Sequence, residues 1–344
     1  MRRRRWLERA KSLLIAVLAL TVLALTVLAL PAKTVTDTPW LAALVRPFAS
    51  VMGLTQGELT ATPMADAASV TGAAQPVAVS VRNPAGRTSF QFDTAALDTA
   101  FEQFGAALGQ ALEGAQEPQR TTALRIQTAL GKTSVAFHYP GEISPALAAS
   151  WLQVETALDE SVRAQWLILA NEDAAVNLYL VGDELFVCQT QLDGDALEQL
   201  LQSCTPDGSF FAFEDAQARF SSVEPLSLLP GQTPQIHAAE AANPCDARFS
   251  DALAATLGFN PYGDARYTDD AGNTTYTETG YALSISASGE LLLRADVQST
   301  RFQAASGEQA ELVECARSLL SAMTAGVNSD ARLYLTDLEQ NGSE

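Results

Sequence analysis

The longest unbroken apolar stretch lies near the start of the chain. Leu13 to Leu30 reads LLIAVLALTVLALTVLAL, eighteen residues without a charge. At a rise of ~1.5 Å per residue this run covers about 27 Å, which predicts a transmembrane helix over residues 13–30. Residues 31–75 then show no sustained period and are rich in Ala, Thr, Pro and Gly, the composition of a flexible stalk. A short amphipathic helix over Trp40 to Val51 is the one regular element expected there. Periodic patterning starts near Pro76. Ser89 to Phe92 reads as a strand, and Asp93 is placed to cap the helix that follows. That helix sets Leu97, Phe101, Phe104, Leu108 and Leu112 at steps of four, three, four and four, an apolar stripe. Thr133 to His138 reads as a strand. Ser144-Pro145 then starts a second helix, carrying Leu147, Trp151 and Leu152.

Beyond it the period changes to two. Trp166 to Ala170, Val176 to Val181 and Glu184 to Gln189 read as consecutive strands, with Gly182-Asp183 turning the last pair. Leu197, Leu200, Leu201 and Cys204 mark a short helix, and Ser209 to Phe213 a further strand. Four prolines punctuate Val223 to Cys245, the expected connection between two folded units. The second unit opens with a helix over Arg248 to Leu257. Two hairpins follow, one turning at Asp269 to Asn273 and one at Ala287 to Gly289. Tyr281, Leu283 and Ile285 alternate with small polar or alanine positions, so one face of that sheet is buried. A helix from Gln309 to Ala325 places Leu312, Val313, Ala316, Leu319, Leu320 and Met323 on one stripe, and Arg332 to Leu335 closes the chain as a strand. Helices mixed with antiparallel hairpins predict an α+β class. The expected organisation is a tail (1–12), the spanning helix (13–30), the stalk (31–75) and two mixed helix/antiparallel-sheet units (76–245 and 246–344).

Charge sets the orientation. Arg2, Arg3, Arg4, Arg5, Arg9 and Lys11 oppose only Glu8 before the apolar run, and such clusters stay cytosolic. The N-terminus is therefore expected inside and the bulk outside. A cleaved signal peptide begins in the same way, but its apolar core is about 7–15 residues long and ends at a small-x-small site, which Leu30-Pro31-Ala32-Lys33 lacks. Without the tail's six positive charges and Glu8, 15 Lys/Arg face 39 Asp/Glu, a net −24. That excess repels nucleic acid and anionic lipid and excludes nucleic-acid binding. Four cysteines (Cys188, Cys204, Cys245, Cys315) lie in the outer part, where disulfides are permitted and three pairings are open. Free buried thiols are the favoured reading.

Catalytic templates find no match. The two histidines, His138 and His237, are about a hundred residues apart, and no HExxH or Cys-x-x-Cys occurs. His138, in SVAFHYP, reads as a structural histidine. No Gly-x-Ser-x-Gly elbow, Ser-x-x-Lys pair or Gly-rich phosphate loop is present. Cys188 and Cys315 sit in apolar settings within an acidic chain, unlike activated thiols. Asp269-Asp270-Ala271-Gly272-Asn273 has the composition of a calcium loop but lacks alternating oxygens and a distal glutamate; a hairpin turn accounts for it. No catalytic residue, metal site or cofactor is expected.

A partner surface remains. Phe259, Tyr262, Tyr267 and Tyr276 cluster around the first hairpin of the second unit, so Tyr262, Tyr267 and Tyr276 are candidate partner-binding residues against the alternative of sheet packing. In the spanning helix, Ala19, Ala24 and Ala29 beside Thr21 and Thr26 offer small and hydroxyl side chains for helix–helix contact.

Several stretches carry a resemblance: SFQFDTAALDTAF, FHYPGEISPALAASWL, GSFFAFED, AANPC and LGFNPYGDARYTDDAGNTTYTETGYALSISASGELL. Together with the N-terminal anchor they resemble the YycH/YycI-type proteins of Gram-positive bacteria over most of residues 89–300. The resemblance implies a non-enzymatic, membrane-anchored α+β protein of the cell-wall space. It implies as partner a membrane sensor histidine kinase or a sister accessory protein, with the kinase modulated by contact. Two other functions compete with it. One is an extracytoplasmic carboxylate-based glycan hydrolase, which needs paired acids in a cleft. The other is a non-catalytic cell-envelope assembly factor.

Overall fold

The computed structural model describes residues 74–173, 175–235, 247–263, 265–296, 302, 304, 308–324 and 332–338. The apolar run 13–30 with Ala19, Thr21, Ala24, Thr26 and Ala29, the stalk to residue 73, His237 and Cys245 lie outside the described residues. Among the described residues no helix is long and apolar enough to cross a membrane.

The chain is α+β with antiparallel sheets. The larger sheet has seven strands in the order β2-β1-β4-β5-β6-β7-β3. In chain order these are β1 (Ala78–Asn83), β2 (Gly86–Phe90), β3 (Gln119–Arg120), β4 (Ser134–Ile143), β5 (Ala164–Glu172), β6 (Ala175–Val181) and β7 (Leu185–Asp193). Four helices accompany it: α1 (Thr94–Glu113), α2 (Ala123–Leu130), α3 (Pro145–Trp151) and α4 (Gly194–Leu201). Alternation along the strands separates two cores. Val135, Phe137, Leu167 and Leu169 meet the buried stripe of α1, while Ala136, Ile168 and Tyr179 meet Ile126 and Leu130 of α2.

The expected helix starts hold. The Asp93 carboxylate accepts from the backbone N–H of Ala95 and Ala96 at 3.0 and 3.2 Å, and the Ser144 hydroxyl accepts from Leu147 N–H at 3.1 Å. All five stripe residues of α1 are buried. Each contributes about 1.5–3 kcal/mol relative to exposure, more than the ~1 kcal/mol of the cap.

Strand β1 escaped the sequence reading because its alternation is hidden. Val79 and Val81 face one core, while Ser80, on the other side, is buried against Arg87 rather than solvated. The strand expected over Ser209 to Phe213 shrinks to β8 (Phe210–Phe211), paired with β9 (Leu228–Leu229). A 3-10 turn over Ala212–Glu214 ends it, because the Glu214 carboxylate accepts from Phe211 N–H at 2.8 Å.

Toward the C-terminus, helix α5 (Ala247–Thr256) precedes a four-stranded sheet, β10 (Arg266–Thr268), β11 (Thr274–Glu278), β12 (Tyr281–Ile285) and β13 (Leu291–Ala295), in sequential order. Both hairpins turn where the pattern predicted. Tyr281, Leu283 and Ile285 are buried against Leu253, Leu257 and Phe259.

Helix α6 (Gln309–Thr324) departs from its predicted stripe. Only Val313 and Met323 are buried, and Leu312 and Leu320 remain 48% and 46% exposed. The helix serves two cores in turn. Val313 joins the core of the large sheet, and Trp151 donates to Glu314 at 3.1 Å; Leu319 and Met323 join the core of the small sheet. One face of one helix cannot meet two cores along its whole length.

Among the described residues, 332–338 join no ladder, correcting the predicted strand over Arg332 to Leu335. Side chains tie this segment down: Arg332 pairs with Asp98, and Arg163 donates to the Leu338 carbonyl at 2.7 Å. It passes so close over Gly141 that a Cβ there would run into the carbonyl of Thr336. Gly141→Ala is therefore expected to lift residues 332–338 at a cost of about 1–3 kcal/mol. Limited proteolysis within 332–338 should accelerate while α1 stays uncut. Unaltered cleavage at 332–338 would show that the close approach does not constrain the chain.

Candidate functional site

The tyrosines singled out from the sequence part company in three dimensions. Tyr262 sits in a turn set by Asn260, whose side-chain oxygen accepts from Tyr262 N–H at 3.0 Å and whose own N–H donates to Glu278 at 2.9 Å. That turn projects the Tyr262 ring outward, 89% exposed. Tyr267, on the edge strand β10, is 66% exposed. Its cross-strand row continues through Thr275 and Ser284 to the exposed Leu292, so the outer face of the small sheet is open among the described residues.

Tyr276 belongs elsewhere. It points to the inner face, is 1% exposed, and donates its hydroxyl to Asp251 at 2.7 Å beneath the Arg266 guanidinium. Burial pushes its phenol above the usual value, and the Asp251 contact adds to this. Tyr276 is thus corrected from a docking candidate to a core residue. The period-two register alternates faces, and sequence clustering gave no hint of which face was covered.

Groups with chemical potential are engaged in the fold. At the end of the large sheet an open cleft of about 440 Å³ is lined by Arg125, Glu172, Asp173, Asn177, Gln189 and Thr190. Glu172 is its centre, accepting from Tyr179 at 2.7 Å and Asn177 at 2.6 Å, with Lys132 and Arg125 at 3.5 and 3.6 Å. Burial alone would raise its pKa. The two hydrogen bonds and two cations outweigh that and hold the carboxyl below the usual range. Burial, with Glu172 beside it, pushes the Tyr179 phenol up to about 12. A glycosidase general acid needs the opposite shift, upward, to carry a proton at neutral pH. Glu172 is a locked carboxylate. The sequence reading missed this cluster, although Lys132, one of only three lysines, was a usable signal.

His138 stacks on Trp166 with ring centroids 4.1 Å apart, and burial drops its pKa to about 4. It is a packed neutral imidazole, as its sequence context indicated. Burial likewise pushes the Cys188 thiol up to about 11, the reverse of an activated nucleophile. The described cysteines Cys188, Cys204 and Cys315 are free. The Asp269 carboxylate accepts from the N–H groups of Ala271 and Asn273 and from the Asn273 amide at 2.8–2.9 Å, so the hairpin turn uses it fully. Among the described residues no group of three or more His, Cys, Asp or Glu side chains is placed to hold a metal ion.

No family model matches the chain, and no curated protein matches it. Among solved structures it is similar to the crystal structure of YycH from Bacillus subtilis, with a TM-score of 0.41 and 10% identity over 74% of this chain. The match spans 66% of the length of that protein, just under two thirds.

Proposed function

We propose that this chain is a membrane-anchored extracytoplasmic accessory protein that modulates a sensor histidine kinase by protein–protein contact. The observation that carries the contact reading is the pair of outward tyrosines: Tyr262 and Tyr267 stand 89% and 66% exposed on a turn and an edge strand. Large amphipathic rings held in place bury area at little entropic cost, which is why they dominate interface energetics. The kinase as partner, the extracytoplasmic location and the single anchor rest on the sequence: the resemblance over residues 89–300 and the basic tail before Leu13. In the polar cleft the ionised Glu172 has the state of a base or nucleophile and not of a general acid, and its ties to Tyr179, Asn177, Lys132 and Arg125 engage it in the fold.

The test is a crosslinking pull-down of the full-length protein from its own membranes, beside Tyr262→Ala/Tyr267→Ala and a version with residues 13–30 exchanged for an unrelated apolar helix. Loss of a buried aromatic anchor costs about 2 kcal/mol, or roughly 30-fold in affinity. Capture of one sensor kinase should fall by that order in the tyrosine variant, and the exchanged helix reports whether Ala19, Thr21, Ala24, Thr26 and Ala29 contribute. Enrichment of wall-synthesis proteins without a kinase would overturn the regulatory reading in favour of envelope assembly.

A further inference from the structure

Two segments far apart in sequence meet on one patch of the large sheet. Ala74 is buried there, and its carbonyl accepts from the Tyr139 hydroxyl of β4 at 3.0 Å. Three residues on, Val77 N–H donates to the His138 carbonyl at 2.7 Å, and β1 begins. Residues 332–338 reach the same place from the other end of the sequence. Leu335 and Leu338 pack against the core that holds Ala74 and Tyr139, and the Thr336 carbonyl sits over Gly141 of β4. Arg163 fixes the last residue, Leu338, through its carbonyl.

One guanidinium joins the two segments. Arg332 pairs with Asp98 of α1 through both nitrogens, Nη1 donating to Oδ1 at 2.7 Å and Nη2 to Oδ2. Such two-pronged pairing fixes the guanidinium plane. The Gln75 side-chain oxygen then accepts from the same Nη1 at 3.1 Å. Arg332 therefore ties the entry of the chain into the sheet to α1 and to the segment 332–338 at once.

The tie is built to open. Of the seven residues 332–338, Arg332, Tyr334, Thr336 and Asp337 are exposed and the other three only half-buried. Helix α1, by contrast, buries its whole apolar stripe. A segment held by an exposed ion pair and two half-buried leucines opens at far less cost than the helix beneath it.

We propose that residues 332–338 form a releasable strap, latched by Arg332 over the entry of the chain into the large sheet, so that opening the strap and loosening residues 74–77 are one coupled event. The coupling belongs to the fold itself. Its use rests on the anchored reading proposed above, in which residues 74–77 lead from the stalk and carry a displacement of the spanning helix to the strap. Coupling between two sites is reciprocal, so a partner that grips the strap also acts on the entry.

Charge reversal in the full-length protein tests the latch. Arg332→Asp sets two acids face to face, and Arg332→Asp/Asp98→Arg restores the pair with its sense reversed, the Gln75 amide donating to the new carboxylate. Cleavage at Tyr334 by a chymotrypsin-type protease reads the strap, and hydrogen exchange of the Val77 N–H reads the entry. Both rates follow the open population, so Arg332→Asp should raise each by about five-fold, the upper end for an exposed ion pair. The double variant should return both to the wild-type values. Tyr139→Phe, which removes only the hydroxyl bonded to Ala74, should in turn accelerate cleavage at Tyr334. Exchange in the middle of α1 should stay unchanged in every variant. Unchanged Val77 exchange in Arg332→Asp, no recovery in the double variant, or unchanged strap cleavage in Tyr139→Phe overturns the proposal. A pull-down that captures no kinase bears on the regulatory reading and leaves the coupling standing.

Discussion

Glu214→Ala is expected to destabilise the fold by about 3–5 kcal/mol, and Arg87→Met by less, because the two partners are buried to different depths. Arg87 has 1% of its side chain exposed and Glu214 has 20%. The guanidinium lies on strand β2 in a fully furnished site. It pairs with Glu214 at 2.8 Å and donates to the Ser80 hydroxyl at 3.0 Å and the Leu130 carbonyl at 2.8 Å. Its Cζ lies 4.5 Å from the centre of the Phe211 ring. Burial lowers its pKa from the ordinary guanidinium value, and Glu214 opposes that shift.

Removing Glu214 leaves a buried cation with only the Ser80 hydroxyl, the Leu130 carbonyl and the Phe211 ring to offset its desolvation, and leaves the Phe211 N–H without its acceptor. Removing Arg87 leaves a carboxylate that can hydrate through its open side, and methionine refills most of the volume. The double variant Arg87→Met/Glu214→Ala should recover part of the single loss, since no lone charge remains. Urea unfolding followed by tryptophan fluorescence measures all three. If Arg87→Met proved the more damaging single change, the site would depend on the arginine's packing rather than on charge burial.

The second large effect is a loss of stability on mild acidification that His138→Gln abolishes. In the folded chain the imidazole is held at a pKa of about 4 by burial, against an ordinary value of 6.5. Above pH 6.5 both folded and unfolded chains carry it neutral, and its contribution is fully present. As pH falls from 6.5 toward 4, the unfolded chain takes up a proton that the folded chain refuses, so folding loses free energy. Two and a half pH units at ~1.36 kcal/mol each amount to about 3 kcal/mol, lost across that window. Glu172 also has a lowered pKa, but its contribution is lost only as pH drops below the usual glutamate range. The difference between wild type and His138→Gln at matched pH isolates the imidazole. A stability profile unchanged by the substitution would mean that the Trp166 stack opens at no cost and admits the proton.

The two regions differ in how much of them could be read in advance. The caps at Asp93 and Ser144, the stripe of α1, the hairpin turns at Asp269 and Ala287 and the buried alternation of β12 were all legible, because each is a local rule written within a few residues. The candidate surface was half legible. Clustering marked Tyr262, Tyr267 and Tyr276 together, but only the packing of α5 against the sheet sent Tyr276 inward to Asp251. The Glu172 cluster was missed, with the rare Lys132 its one signal in the sequence, because its partners Tyr179, Asn177, Lys132 and Arg125 come from one strand, a helix and the turn after it.

By itself, the sequence determined the α+β class, the periods that make helices and strands, the hairpin turns, and a net −24 outside the tail. Those follow from backbone geometry, side-chain periodicity and charge, which act over a few residues or over the whole chain at once. Tertiary structure alone decided that Ser80 belongs to a buried arginine and that α6 divides its face between two cores. The reason is physical: burial is a property of what arrives on the other side of a residue. Arg87 and Glu214 are 127 positions apart, and no local pattern carries that distance.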